Sequence, residues 1–262
     1  MVQIQVVSDL HLEAAFQYDA YELDPTAPYL ALLGDIGNTR DPGLLRFLKQ
    51  MLRQYELVFY VAGNHEPYHS DWDSTHSNLS EFANLVNTDP EVGSGRLIYM
   101  NQTRYDITTD VTILGCVLFS AIDPMYMTDV RTNLNDFYNI RGWTVENHCS
   151  NHYSDLAWLN AQVSRIAAEE PARKIVIFTH YCPTSDATEP KYKTSRITSG
   201  FTTDMSNEEC WKAENVRVWA FGHTHFNYDV VEEDTGKRII ANQRGYVFSL
   251  ARGFVPGKTI EV

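Results

Sequence analysis

Residues Leu57 to Glu66 pass from a short apolar run, Leu57-Val58-Phe59-Tyr60-Val61, through Ala62-Gly63 to Asn64, His65 and Glu66. An amide, an imidazole and a carboxylate arrive together where a strand-like run ends. Four other runs end the same way. Ile4 to Ser8 leads into Asp9-Leu10-His11, and Tyr29 to Leu33 into Gly34-Asp35. Lys174 to Thr179 leads into His180, and Val216 to Phe221 into Gly222-His223-Thr224-His225. Asp9, His11, Asp35, Asn64, His180, His223 and His225 are seven ligand-type side chains, with His65 to spare. Asp, Asn and His without Cys suit divalent ions of intermediate hardness: Mn, Fe, Zn or Ni. The set is larger than one tetrahedral zinc site needs and suits two ions sharing a carboxylate. Paired ions about 3.5–4 Å apart clamp the attacking and leaving oxygens of a phosphoryl centre, and a water bridging them is acidified.

The elements that must position these side chains are short runs rich in β-branched and aromatic residues, which read as buried strands. Ligands of α/β sheets gather at the C-terminal ends of strands. Asp41-Pro42 starts a helix, with Asp at the N-cap and Pro at the first helical position. Leu44, Leu45, Leu48, Met51, Leu52 and Tyr55 then recur at helical spacing. That helix joins two strands into a parallel βαβ unit. The spacing predicts a loop over 67–72 and a helix over 74–86. Strands follow over 96–99, 104–107 and 111–118, close enough together to suggest antiparallel pairing. An irregular stretch over 120–150, a helix over 154–169, a loop over 181–203 and a short helix over 206–214 come next. A hairpin pairs 229–232 with 237–241, and 245–250 forms the last strand. The candidate ligands span Asp9 to His225 with no linker between them, so residues 1–262 are expected to form one domain.

A hydrophobic content of 44% suits a globular protein with a sizeable core. The formal net charge of −13 disfavours nonspecific binding of nucleic acid. It does not oppose a small phosphorylated substrate, because bound cations invert the local field. The four cysteines show no Cys-x-x-Cys spacing. With no signal peptide and no membrane-spanning run, the expectation is a cytoplasmic protein with free thiols. Cys182 reads as a bystander rather than a soft ligand. His69, His76, His148 and His152 read as structural; the last two are four apart but lie ahead of the expected helix in polar sequence.

The ordered set Asp9-x-His11, Gly34-Asp35, Gly63-Asn64-His65-Glu66, His180 and Gly222-His223-x-His225 resembles the calcineurin-like metallophosphoesterases over nearly the whole chain. The resemblance implies an α/β fold of two mixed β-sheets packed as a sandwich flanked by helices. It implies that Asp9, His11 and His225 hold a first metal, that Asn64, His180 and His223 hold a second, and that Asp35 bridges them. It also implies hydrolysis by a metal-bridging hydroxide, with His65 assisting the leaving group, and two divalent ions, Mn favoured. Two departures narrow the subclass. Where protein phosphatases of the superfamily carry Gly-Asp-x-Val-Asp-Arg-Gly, this chain has Gly34-Asp35-Ile36-Gly37-Asn38-Thr39-Arg40, and Ala62 replaces their usual arginine. The expected substrate is a small phosphate mono- or diester or a nucleotide. Its ring would stack on aromatics of the long loops, among them Phe16, Tyr68, Trp72, Tyr126, Phe137, Tyr192 and Phe201. Lys193 and Arg196 read as solvated loop charges. Two other readings are a non-catalytic interaction module on the same fold and a nuclease of the superfamily. Oligomeric state is left open.

Overall fold

The computed structural model describes residues 1–89 and 91–262. Five strands form one sheet in the order β13-β1-β2-β3-β4. They are β1 (Gln3–Val7), β2 (Tyr29–Leu33), β3 (Leu57–Val61), β4 (Arg96–Tyr99) and β13 (Thr259–Glu261). Six form a second sheet in the order β5-β6-β7-β8-β10-β9. They are β5 (Thr103–Asp106), β6 (Val111–Gly115), β7 (Lys174–Phe178), β8 (Val216–Phe221), β9 (Tyr228–Val231) and β10 (Arg238–Ala241). Each sheet is parallel at its centre and antiparallel at an edge: β13 against β1, β5 against β6, and β9 against β10.

Period-two alternation along the strands builds two cores. Ile4, Val6, Ala31, Leu33, Phe59 and Val61 meet Ile113, Val176, Phe178, Val218, Ala220 and Ile240 between the sheets. The opposite faces are covered by helices. On the first sheet these are α1 (Pro42–Leu52) and α2 (Trp72–Val86), which supply Leu44, Phe47, Leu48, Leu79 and Phe82. On the second it is α5 (Val145–Glu169), through Leu159, Val163 and Ile166. This is the expected sandwich of two mixed sheets flanked by helices.

Several elements differ from the sequence expectation, each for a physical reason. β4 pairs parallel with β3 rather than antiparallel with β5. The intervening α2 is a crossover helix, and a crossover returns the chain parallel. Trp72 opens α2 instead of lying in a loop, because the Asp71 side chain accepts from Ser74 N and caps it. Asp41 precedes α1 but makes no side-chain cap; its carboxylate accepts instead from the Tyr18 hydroxyl at 3.0 Å. Within 120–150 lie α3 (Met127–Asn133) and α4 (Asp136–Asn139), and α5 begins at Val145, nine residues before the expected 154. Thr144 caps it. Its buried face runs Val145, His148, His152, Asp155, Leu159, Val163, Ile166. That is a regular helical stripe in which polar residues replaced the apolar ones that would have revealed it. His148 and His152 therefore lie within the helix. The short helix near 206–214 is α6 (Glu209–Lys212). The expected last strand is a small hairpin of β11 (Gly245–Tyr246) and β12 (Ser249–Leu250), and β13 follows it. Among the described residues no helix is long and apolar enough to cross a membrane.

Candidate metal centre

All seven candidate ligands leave the C-terminal ends of β1, β2, β3, β7 and β8. Five of them bend back in the left-handed region: Asp9 (φ 51°), His11 (47°), Asp35 (53°), His223 (77°) and His225 (50°). Such backbone costs about 1–3 kcal/mol per residue and persists only where the surroundings over-determine it. Here backbone donors do so. Asp9 N donates to Gly34 O (3.0 Å) and His11 N to Asp35 O (2.9 Å). His223 N donates to the Asp9 carboxylate at 3.1 Å. Glu66 does not face the centre as a ligand. Its buried carboxylate accepts from Asp35 N (3.0 Å), Ile36 N (2.9 Å), Gly63 N (2.7 Å) and the Tyr60 hydroxyl (2.8 Å), tying the β2 and β3 loops together. Glycine is needed where those loops touch. A Cβ at Gly34, whose φ is +84°, would collide with the His180 ring, and one at Gly63 would collide with Asp35.

The side chains converge in two sets. Ligand atoms of Asp9, His11 and His225 lie within 4.8 Å of one another, as do those of Asp35, His180 and His223. His11 Nε2 is 3.0 Å from His225 Nε2, and His225 Nε2 is 3.4 Å from Asp9 Oδ1. Asn64 joins the second set with Oδ1 3.0 Å from His180 Nε2. Its amide is oriented by Asp136, whose carboxylate accepts from Asn64 Nδ2 at 2.8 Å and from the Tyr68 hydroxyl at 2.7 Å. Because a carboxylate only accepts, the Asn64 nitrogen must face it and the oxygen must face the centre. His180 Nδ1 donates to Leu33 O at 2.8 Å, leaving Nε2 free to bind. His65 lies beside both sets, with Nε2 4.0 Å from Asp35 Oδ2 and its ring stacked on Tyr68.

The electrostatics suit cations. Burial pushes His11 and His223 down and holds His180 at about 4, so these imidazoles are neutral and keep lone pairs for ligation. Burial, then the charges of Glu66 and Asp9, push the Asp35 carboxyl well above its usual range. Divalent ions would relieve that repulsion. Among the described residues His223 Nε2 is buried with no hydrogen-bond partner, and it stands beside Asp35 and His180, which leaves it available to a shared ion. The residues thus fit two metal ions.

The other singled-out residues fall elsewhere. His148 Nε2 accepts from Ser120 N (3.0 Å), and His152 Nδ1 donates to Leu118 O (2.9 Å). Cys182 donates its thiol to Thr184 O at 2.9 Å. His76 meets the Tyr99 hydroxyl. Of the aromatics expected to line the site, Tyr68, Tyr192 and Phe201 line the cleft over it, whereas Trp72 packs in the core and Phe16 is exposed. Lys193 and Arg196 pair with Asp186 and Asp129, and neither lines the cleft. Sequence reasoning missed Glu13, Asp136 and Tyr246. Glu13 carries a signal, two residues beyond His11 in Asp9-x-His11-x-Glu13. Asp136 and Tyr246 carry none, since neither belongs to a strand-end motif.

A model of the calcineurin-like phosphoesterase family matches residues 2–227. The chain belongs to this family. A calcineurin-like phosphoesterase is a hydrolase acting on phosphoric ester bonds, and the His/Asp clusters are in keeping with a metal-binding member. An uncharacterised protein of Acanthamoeba polyphaga mimivirus is 28% identical over 265 residues, covering 93% of this chain and 91% of the relative. The phosphopantetheinyl hydrolase of Mycobacterium tuberculosis aligns with a TM-score of 0.64 at 16% identity, covering 93% of this chain and 89% of that one. A dimetal phosphatase from Danio rerio aligns with a TM-score of 0.57 at 14% identity, covering 97% and 90%. Both structures share the fold of this phosphoesterase.

Proposed function

We propose that this phosphoesterase uses two divalent ions to hydrolyse phosphate mono- or diesters of small organic molecules or nucleotides. The observation that carries the reading is the placement of Asp35 between the two ligand sets. Its Oδ2 is 3.8 Å from His11 Nε2 and its Oδ1 is 3.5 Å from His180 Nε2. On this reading Asp9, His11 and His225 hold one ion, Asn64, His180 and His223 hold the other, and Asp35 serves both. Ions of this kind, Mn first among Mn, Fe, Zn and Ni, supply Lewis-acid polarisation of phosphoryl oxygens and an acidified water. His65 is the eighth strand-end side chain. Doubly protonated, its ring presents Nε2–H to the cleft, where the leaving oxygen departs. The ligands come from residues 9 to 225, which makes residues 1–262 one catalytic domain.

The cleft, about 1100 Å³ in volume and lined by Tyr68, Tyr192, Phe201 and Tyr246 beside the candidate ligands, supports this choice of substrate. That size and those rings suit a small phosphorylated molecule carrying a flat group. The net charge of −13 works against long polyanions. The test is hydrolysis with added Mn²⁺ of p-nitrophenyl phosphate, its bis ester, nucleotides, cyclic nucleotides, single-stranded DNA and a phosphoprotein. A phosphopantetheinyl ester joins the panel because a fold neighbour is a phosphopantetheinyl hydrolase. The small esters are expected to turn over and the two polymers to be nearly untouched. Preference for DNA would favour the nuclease reading, and no turnover with any ester would favour a non-catalytic module.

A further inference from the structure

One oxygen of Glu13 meets two histidine rings. Glu13 Oε1 accepts from His11 Nδ1 at 3.1 Å and from His65 Nδ1 at 2.9 Å. The rings stand nearly edge to face, with centroids 4.4 Å apart and planes at 72°. Anchored at Nδ1, each ring directs Nε2 to a different task. His11 Nε2 points to His225 Nε2 at 3.0 Å, inside the first ligand set. His65 Nε2 points to the cleft, 4.0 Å from Asp35 Oδ2 and 3.2 Å from the Tyr246 hydroxyl.

Asn38, the neighbouring polar side chain, is engaged away from the His65 ring. Asn38 donates its amide to Tyr68 O at 2.7 Å and accepts from Arg40 N at 2.9 Å, leaving the His65 ring untouched. Tyr68 stacks on one face of that ring with centroids 4.3 Å apart, but a stacked face does not decide which nitrogen faces the cleft. The carboxylate at Nδ1 does: it receives the N–H there and turns Nε2 to the cleft, so the proton for the leaving oxygen is the second one that the doubly protonated ring carries at Nε2. Glu13 is itself pinned by the turn that follows it: Ala14 N donates to His11 O at 3.0 Å and Gln17 N to Leu12 O at 2.8 Å.

We propose that Glu13 is a shared positioning residue, one carboxylate fixing the ring of a first-ion ligand and the ring that faces the leaving group. This rests on the roles given above to His11 and His65. It gives the run Asp9-x-His11-x-Glu13 a single purpose: alternate residues of one loop supply a ligand, a second ligand, and the group that orients the second ligand and its neighbour.

The test compares wild type, Glu13→Ala, Glu13→Gln and His65→Ala in two measurements. The first is Mn²⁺ affinity by calorimetry, which needs no turnover. The second is the ratio of rates for an alkyl phosphate and p-nitrophenyl phosphate. Glu13→Ala is expected to weaken one of the two ions by about 10–100-fold. It should also slow the alkyl ester by about 10²–10⁴-fold while slowing the p-nitrophenyl ester less, since that leaving group needs no proton. Glu13→Gln keeps an acceptor of the same shape and should recover most of both losses. Should Glu13→Ala lose its circular dichroism signature, Glu13→Met fills the volume without an acceptor and takes its place. Unchanged ion affinity and an unchanged rate ratio in the acceptor-free variant would overturn the proposal, as would a glutamine variant no better than it. His65→Ala separates the two levels. If it slows both esters equally, the role of His65 fails; if it is selective and Glu13→Ala is not, only the role of Glu13 fails.

Discussion

His180 and His148 are both fully buried histidines, and burial pushes both far below the ordinary imidazole value, to about 4 and about 3. Their company differs. His180 shares its space with Asp35 Oδ1 at 3.5 Å and Asn64 Oδ1 at 3.0 Å. His148 has the rings of Phe119, Trp143 and Tyr181 around it, and its Nε2 meets Ser120. Its Nδ1 is buried without a partner, yet His148 joins no group of metal-ligand atoms among the described residues. Burial alone therefore does not mark a metal ligand. Convergent carboxylate and amide oxygens are what single out a candidate, because a cation needs several donors at once, whereas the His148 ring in its aromatic cage meets Ser120.

The comparison breaks first at the oxygen donors. Asp136→Leu keeps nearly the same shape and removes the acceptor that turns Asn64 Oδ1 inward. The variant is expected to lose about 10–100-fold in affinity for one of two ions, the scale set by groups that orient metal ligands. Calorimetric Mn²⁺ titration reads it, and unchanged affinity would mean that Asn64 orients itself. A smaller effect is expected on the other side. His148→Gln leaves the ligand sets alone, so ester turnover at neutral pH should stay close to that of wild type. It changes acid stability instead. The folded value of His148 lies near 3 and the ordinary value is 6.5. Between them the unfolded chain binds a proton that the folded chain does not. Stability is full above 6.5 and falls as pH falls toward 3, by up to about 1.4 kcal/mol per pH unit from this one group. Melting midpoints measured from pH 7 to pH 4 should show a shallower decline in His148→Gln than in wild type. Parallel declines would show that His148 does not carry the dependence.

The same contrast explains what could be read from the sequence. The convergence of the candidate ligands was legible because each follows a short β-branched run and the runs are ordered along the chain, so strand ends and chemistry arrive together. The helices α1 and α2 were legible from their leucine and phenylalanine spacing. The start of α5 was not, because His148, His152 and Asp155 occupy its buried stripe and look polar in sequence. The parallel course of β4 was hidden by its closeness in sequence to β5. Asp136 and Tyr246 were invisible for another reason. They reach the centre from α4 and a two-residue strand, over separations of 72 residues from Asn64 and 181 from His65, and only the folded chain brings them together. Glu13 stood in plain view two residues beyond a ligand, but nothing in its spacing said that one oxygen would serve two rings.

The central claim is that Asp35 serves two ions. Metal analysis of protein saturated with Mn²⁺ and freed of excess tests it directly, with Asp35→Asn measured in parallel. The account predicts two ions per chain in wild type and weakened retention of both in Asp35→Asn, because that side chain faces His11 and His180 at 3.8 Å and 3.5 Å. One ion per chain in the saturated wild type, or an Asp35→Asn protein that keeps both as firmly as wild type, would contradict it.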